Sequence, residues 1–143
     1  MKYLLDTNIL SEIQKSDCNI KVKTFTDKIP LEDIFICAIS IGELHCSIEK
    51  LPPGKDKQDL LLWLYEKLPE WFNGRIIVLD TDVMAEWGRI CARATSAMPA
   101  VDSMIASAAI THNMALVTKN IKKFENIQNI IVVDPWEHSY KNP

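Results

Sequence analysis

Five side chains have the types and the placement to handle a phosphate ester or a hard cation: Asp6, Glu43, Asp102, Thr118 and Asn120. Carboxylates brought to one place repel one another unless they are protonated or bridged by a cation, so a shared Asp/Glu site implies Mg²⁺ or Mn²⁺, which prefer oxygen ligands. Each residue also has a plain structural reading. Asp6, in "YLLDTN", is a turn and cap type of residue. Glu43 closes "SIGE", a match to the capping box in which Ser40 would cap a helix and Glu43 would reach back to it. Asp102 falls in a helical first turn, where the dipole favours a carboxylate by about 0.3–1 kcal/mol. "TKN" at 118–120 is ordinary turn chemistry, with Asn120 a candidate cap. Asp80 and Asp82 in "LDTDVM" repeat the strand-to-helix grammar and show that it arises without chemistry.

What separates the readings is where the backbone would deliver these residues. "KYLLD" reads as a short buried strand and "TNILSEIQK" as a helix capped by Thr7 or Asn8. A second helix is expected over "NIKVKTFTDKI", then a strand over "IFICAI" and an amphipathic helix over "SIGELHCSIEKL". "PPGKDK" is a loop, and "QDLLLWLYEKLPEWF" is helical with an interruption near Pro69 that would make a hairpin of it. "RIIVLD" is a strand, "TDVMAEWGRICARATSA" and "PAVDSMIASAAITHN" are helices, and "ALVTKN" and "IIVVDPW" are strands around a short helix at "IKKFEN". Strands alternating with helices predict a three-layer α/β/α sandwich on a mainly parallel sheet of about five strands. In such sheets a site forms beyond the carboxyl ends of the strands, where Asp6, Ser40, Asp80 and Asn120 would emerge.

The whole chain is compatible with one such domain. At 143 residues it can bury roughly 68–70% of its unfolded surface, and its 48% hydrophobic and 24% charged composition is that of an ordinary globular protein. We assign residues 1–137 to the domain and 138–143, "HSYKNP", to a flexible tail. No apolar run approaches membrane-spanning length and no signal peptide precedes Asp6, so the expected compartment is the cytoplasm. Cys18, Cys37, Cys46 and Cys91 lack CxxC spacing and read as reduced thiols, Cys37 and Cys46 in apolar surroundings; zinc binding by His45 and Cys46 is the alternative. A net charge of −3 argues against nucleic-acid binding on global grounds, although a bound cation would reverse the local balance.

Taken together and in order, "YLLDTNILSE", "ISIGELHCSIEKL", "PAVDSMIASAAITHNMALVTKN" and "VVDPW" resemble the signature blocks of PIN-domain ribonucleases, specifically the VapC-like toxins of toxin–antitoxin pairs. The resemblance implies a metal-dependent endoribonuclease acting on RNA, usually a homodimer, inhibited by a cognate antitoxin protein. It maps Asp6 and Asp102 onto metal-holding positions, Glu43 onto the third acid that positions metal or water, and Thr118 and Asn120 onto the supporting strand end. Many relatives carry a further acid shortly after the Asn120 position; here Lys123 precedes Phe124, which implies one well-held cation rather than two.

Two other classes compete. An aspartyl phosphotransferase would use Asp6 as nucleophile, but Asn8 stands where that chemistry needs an acid. A PIN-like module that binds RNA or protein without turnover is favoured by Lys123. Lys119, Lys122 and Lys123 are candidate substrate contacts, each with a solvated basic surface as its plain reading. Trp63, Trp71, Trp87 and Trp136 read as core or interface residues, and the Leu, Trp and Tyr content of residues 56–72 predicts a homodimer or antitoxin interface as an alternative to a buried hairpin.

Overall fold

The computed structural model describes all residues, 1–143. Six strands form one sheet in the order β3-β2-β1-β4-β5-β6: β1 Tyr3–Leu5, β2 Ile34–Cys37, β3 Ile76–Ile77, β4 Ala115–Val117, β5 Val132–Asp134 and β6 Ser139–Lys141. The first five are parallel to their neighbours, with Leu4 opposite both Phe35 and Leu116, while β6 runs antiparallel to β5. The helices are α1 Thr7–Ile13, α2 Ile20–Asp27, α3 Ala38–Glu49, α4 Lys55–Leu62, α5 Leu68–Trp71, α6 Thr81–Arg93 and α7 Ala100–Thr111.

The period of two along a strand divides the apolar residues between the faces. Leu4, Cys37, Leu116 and Val132 point into a core shared with Val83 and Ile90 of α6 and Ile105 and Ala109 of α7. Their neighbours Leu5, Ile36 and Val117 point into the opposite core, with Ile9 and Leu10 of α1, Leu44 and Ile48 of α3, and Trp63, Leu64 and Leu68. These are the three layers expected. No helix is long and apolar enough to cross a membrane.

Several boundaries differ from the sequence reading. Pro69 does not break residues 55–71 into a hairpin: α4 runs through a π turn, Trp63–Lys67, into α5, with the Leu68 N–H bonding the Trp63 carbonyl. The widened turn makes room for a ring that would clash in a regular helix. The segment assigned to a tail contains β6, which pairs Val133 with Tyr140 through a turn that places His138 at φ 52°. Asp6, rather than Thr7 or Asn8, is the N-cap of α1. Cys46 is exposed rather than apolar-packed, all four cysteines are free, and His45 engages the Tyr65 hydroxyl instead of a metal partner.

Candidate active site

The sheet order reverses between β1 and β4. From β1 the chain builds outward through β2 and β3, then returns to the other side of β1 to lay down β4. Ligands in open α/β sheets bind at such a reversal, beyond the carboxyl ends of the strands. Asp6 follows β1 and Thr118 follows β4, and the ladder extends past both strands: the Asp6 N–H bonds the Val117 carbonyl at 2.9 Å, and the Thr118 N–H bonds the Val133 carbonyl at 2.9 Å.

Asp6 is 5% exposed and hydrogen-bonded through both oxygens. Oδ1 accepts from the Thr7 N–H at 2.7 Å and Oδ2 accepts from the Thr118 hydroxyl at 2.7 Å. Burial pushes its carboxyl above the usual aspartate value; the bonds from Thr118 and Thr7 oppose the rise, and the carboxylates of Asp102 and Glu43 add to it. Asp6 thus feels the charge of both other acids. Asn8 completes the strand end, donating to Thr118 Oγ1 at 3.2 Å and accepting from the Lys119 N–H at 3.2 Å.

Glu43 is not part of a capping box. α3 begins at Ala38 with Cys37 at its N-cap, so Ser40 lies inside the helix, and Glu43 bonds elsewhere. The Thr7 oxygen lies 2.6 Å from Glu43 Oε1 and 2.8 Å from Ser40 Oγ. A hydroxyl has one hydrogen: Thr7 gives it to the carboxylate, the stronger acceptor, and Ser40 donates to Thr7. The Ser40–Thr7–Glu43 chain fixes the acid beside Asp6.

Asp102 occupies the first turn of α7, after Pro99 at the N-cap. The adjacent Ser103 is buried, donates to the Ala100 carbonyl at 2.8 Å, and accepts from Trp87 Nε1 of α6 at 2.9 Å. Lys123 Nζ lies 3.6 Å from Asp102 Oδ2. Asn120 enters only through its backbone: its N–H approaches Thr118 Oγ1 at 3.5 Å, while its side chain caps nothing. Asp80 follows β3, the edge strand two places from β1, and caps α6, its Oδ1 accepting from the Val83 N–H at 3.0 Å.

Thr7, Asn8 and Trp87 are therefore the members of this network that sequence reasoning did not assign to it, while Ser40, expected at this edge as a helix cap, bonds Thr7 instead. "DTN" carried a signal for Thr7 and Asn8, as polar residues immediately after the strand-ending acid, but it read as capping alone.

No three His, Cys, Asp or Glu side chains converge on one point in metal-holding geometry. The donor set nevertheless has the chemistry of a hard-cation site, since Mg²⁺ is commonly held by one or two carboxylates with water and substrate phosphate completing the octahedron. Asp6 retains acceptor capacity on both oxygens beyond its two hydrogen bonds.

Comparison with known proteins agrees with the fold. A model of the PIN domain matches residues 3–129. The toxin FitB of Neisseria gonorrhoeae is 32% identical over 136 residues, covering 93% of this chain and 97% of that protein. The VapC ribonuclease Y4jK of Sinorhizobium fredii is 26% identical over 137 residues, covering 94% and 97%. The crystal structure of FitAcB from Neisseria gonorrhoeae superposes with a TM-score of 0.86 at 31% identity, covering 94% of this chain and 98% of that one. With a buried strand-ending aspartate at the sheet reversal, two further acids beside it and this match across most of its length, the chain belongs to the PIN-domain family.

Proposed function

We propose that this protein is a metal-dependent endoribonuclease and the toxin of a toxin–antitoxin pair. The observation that carries the reading is Asp6, buried at the sheet reversal with Glu43 and Asp102 acting on its charge. A structural cap would gain nothing from two nearby like charges, whereas a site for Mg²⁺ or Mn²⁺ requires them. The names of the relatives, a toxin and a VapC ribonuclease, point the same way.

A bound divalent ion would polarise the phosphoryl group and acidify a water. Asp6 and Asp102 are the residues to hold it. Glu43, with Oε1 engaged by Thr7, keeps Oε2 to orient the attacking water and take its proton as the new P–O bond forms and the ester P–O bond breaks. Thr118 and Asn8 hold Asp6 in place, and Asn120 supports the same strand end. Lys119 is drawn over Trp136, 5.2 Å from the ring centroid, which keeps its charge near this edge for a phosphate.

The partners in this reading are an RNA in the cytoplasm, a cognate antitoxin and a second copy of the chain. Leu62, Tyr65 and Trp71 on the α4–α5 helix are about half exposed, an apolar surface that supports such an interface. The competing binding-module reading draws on Lys123, whose ammonium already faces Asp102. Cleavage assays of the purified chain on cellular RNA, with Mg²⁺ or Mn²⁺ added and then chelated, decide between them. Metal-dependent new RNA ends that vanish in Asp6→Asn and Asp102→Asn support the enzyme; intact RNA at every metal concentration leaves the module.

A further inference from the structure

A cleft of about 320 Å³ opens between the end of α6, the loop leading to Pro99 and the residues around and after the end of the short helix Ile121–Phe124. Ile90, Met98 and Ile127 give it an apolar floor. Arg93, Lys123, Asn126 and Gln128 stand around the floor. Arg93 takes part in no ion pair, and the amides of Asn126 and Gln128 have no hydrogen-bond partner within the chain.

Its size is at the small end of the ~300–1,000 Å³ usual for small-molecule sites, room for one planar group and a sugar rather than a length of polymer. Two cations with no acid on the rim, apart from the Asp102 that Lys123 faces, select an anion. Two free amides over an apolar floor can sandwich a base and read its edge, as single-stranded RNA is read. Lys123 links this cleft to the site, because it lines the cleft and its ammonium lies 3.6 Å from Asp102.

We propose that the cleft is an RNA subsite that receives the nucleotide next to the scissile phosphate. Arg93 and Lys123 take its phosphates, Ile90, Met98 and Ile127 carry the base and ribose, and Asn126 and Gln128 select the base. Lys123 also offsets the repulsion that Asp102 would exert on an approaching phosphate. The assignment deepens the ribonuclease reading above and rests on it for the identity of the strand.

The test separates binding from cleavage. A short fluorescein-labelled single-stranded RNA is titrated by anisotropy in EDTA against the full chain, Arg93→Gln and the double variant Asn126→Ala/Gln128→Ala, with thermal melts to establish that each is folded. Arg93→Gln should weaken binding roughly tenfold and lower the salt dependence by about one phosphate contact. Sequencing the RNA ends made by the parent should show a base preference beside the cut, flattened in the amide double variant. Binding of Arg93→Gln within about twofold of the parent, or an unchanged preference in the double variant, overturns the subsite. RNA bound through Arg93 but never cut would retain the subsite and remove the ribonuclease reading, while RNA cut without regard to Arg93 or the amides would do the reverse.

Discussion

The Thr118 hydroxyl donates to Asp6 Oδ2 at 2.7 Å, joining residues 112 positions apart across the ends of β4 and β1. Burial works against the Asp6 charge more strongly than this bond and the Thr7 N–H support it, so the carboxyl stays above its ordinary value. A carboxyl raised in the folded state adds stability that is present below the unfolded value near 3.8 and is lost as pH rises through the folded one. Without added metal, Asp6→Asn should therefore melt higher than the parent at neutral pH, and the gain should shrink as pH falls towards 3.8. Melting curves across that range check it; a variant less stable at neutral pH would contradict the burial account.

Thr7 links Ser40 to Glu43, and the hydrogen bond it gives a carboxylate is worth roughly 1.5–3 kcal/mol. If Glu43 positions the attacking water, Thr7→Ala should lower kcat about tenfold or more while KM moves little, and Thr7→Ser should restore most of it. A loss confined to KM would show that Thr7 serves substrate binding instead.

Trp87 ties α6 to the first turn of α7 through Ser103, one residue beyond Asp102. Trp87→Phe keeps an aromatic ring but removes the donor and part of the indole's bulk, which should cost about 1 kcal/mol or more in urea unfolding. If this contact sets the position of Asp102, Mn²⁺ affinity should fall in the same variant. Calorimetry giving the parent's affinity would confine Trp87 to stability.

Lys123 places an ammonium against Asp102, and if that acid holds a divalent ion as proposed, this charge would repel a second one. Calorimetric titration of the parent with Mn²⁺ should give one tight site, and Lys123→Asp should add a second. Two equally tight sites in the parent would refute this role for Lys123.

The strand-and-helix alternation and the alternating apolar positions were legible locally, because Leu4 and Leu5 must face opposite layers once β1 is buried on both sides. Three features were not. Ser40 looked like a cap because capping boxes are read from four adjacent residues, yet α3 starts earlier and its hydroxyl is claimed by Thr7, 33 residues away. Pro69 looked like a break because a single residue cannot announce that the preceding turn will widen. β6 escaped notice because "HSYKNP" has no apolar alternation, and an edge strand can be held by backbone bonds that are indifferent to side-chain type.

By itself the sequence determined which acids lie at strand ends and helix starts, since the turn of chain direction after each buried run is a local event. Tertiary structure alone decided that β4 returns beside β1, so that Asp6 meets Thr118 while Asp80, with the same local grammar, ends as a cap. It also decided that Lys123 reaches Asp102 and opens onto the cleft. These outcomes depend on strand order and on the packing of α6 against α7, and both are settled by burying two apolar cores at once, a constraint no short stretch of the chain contains.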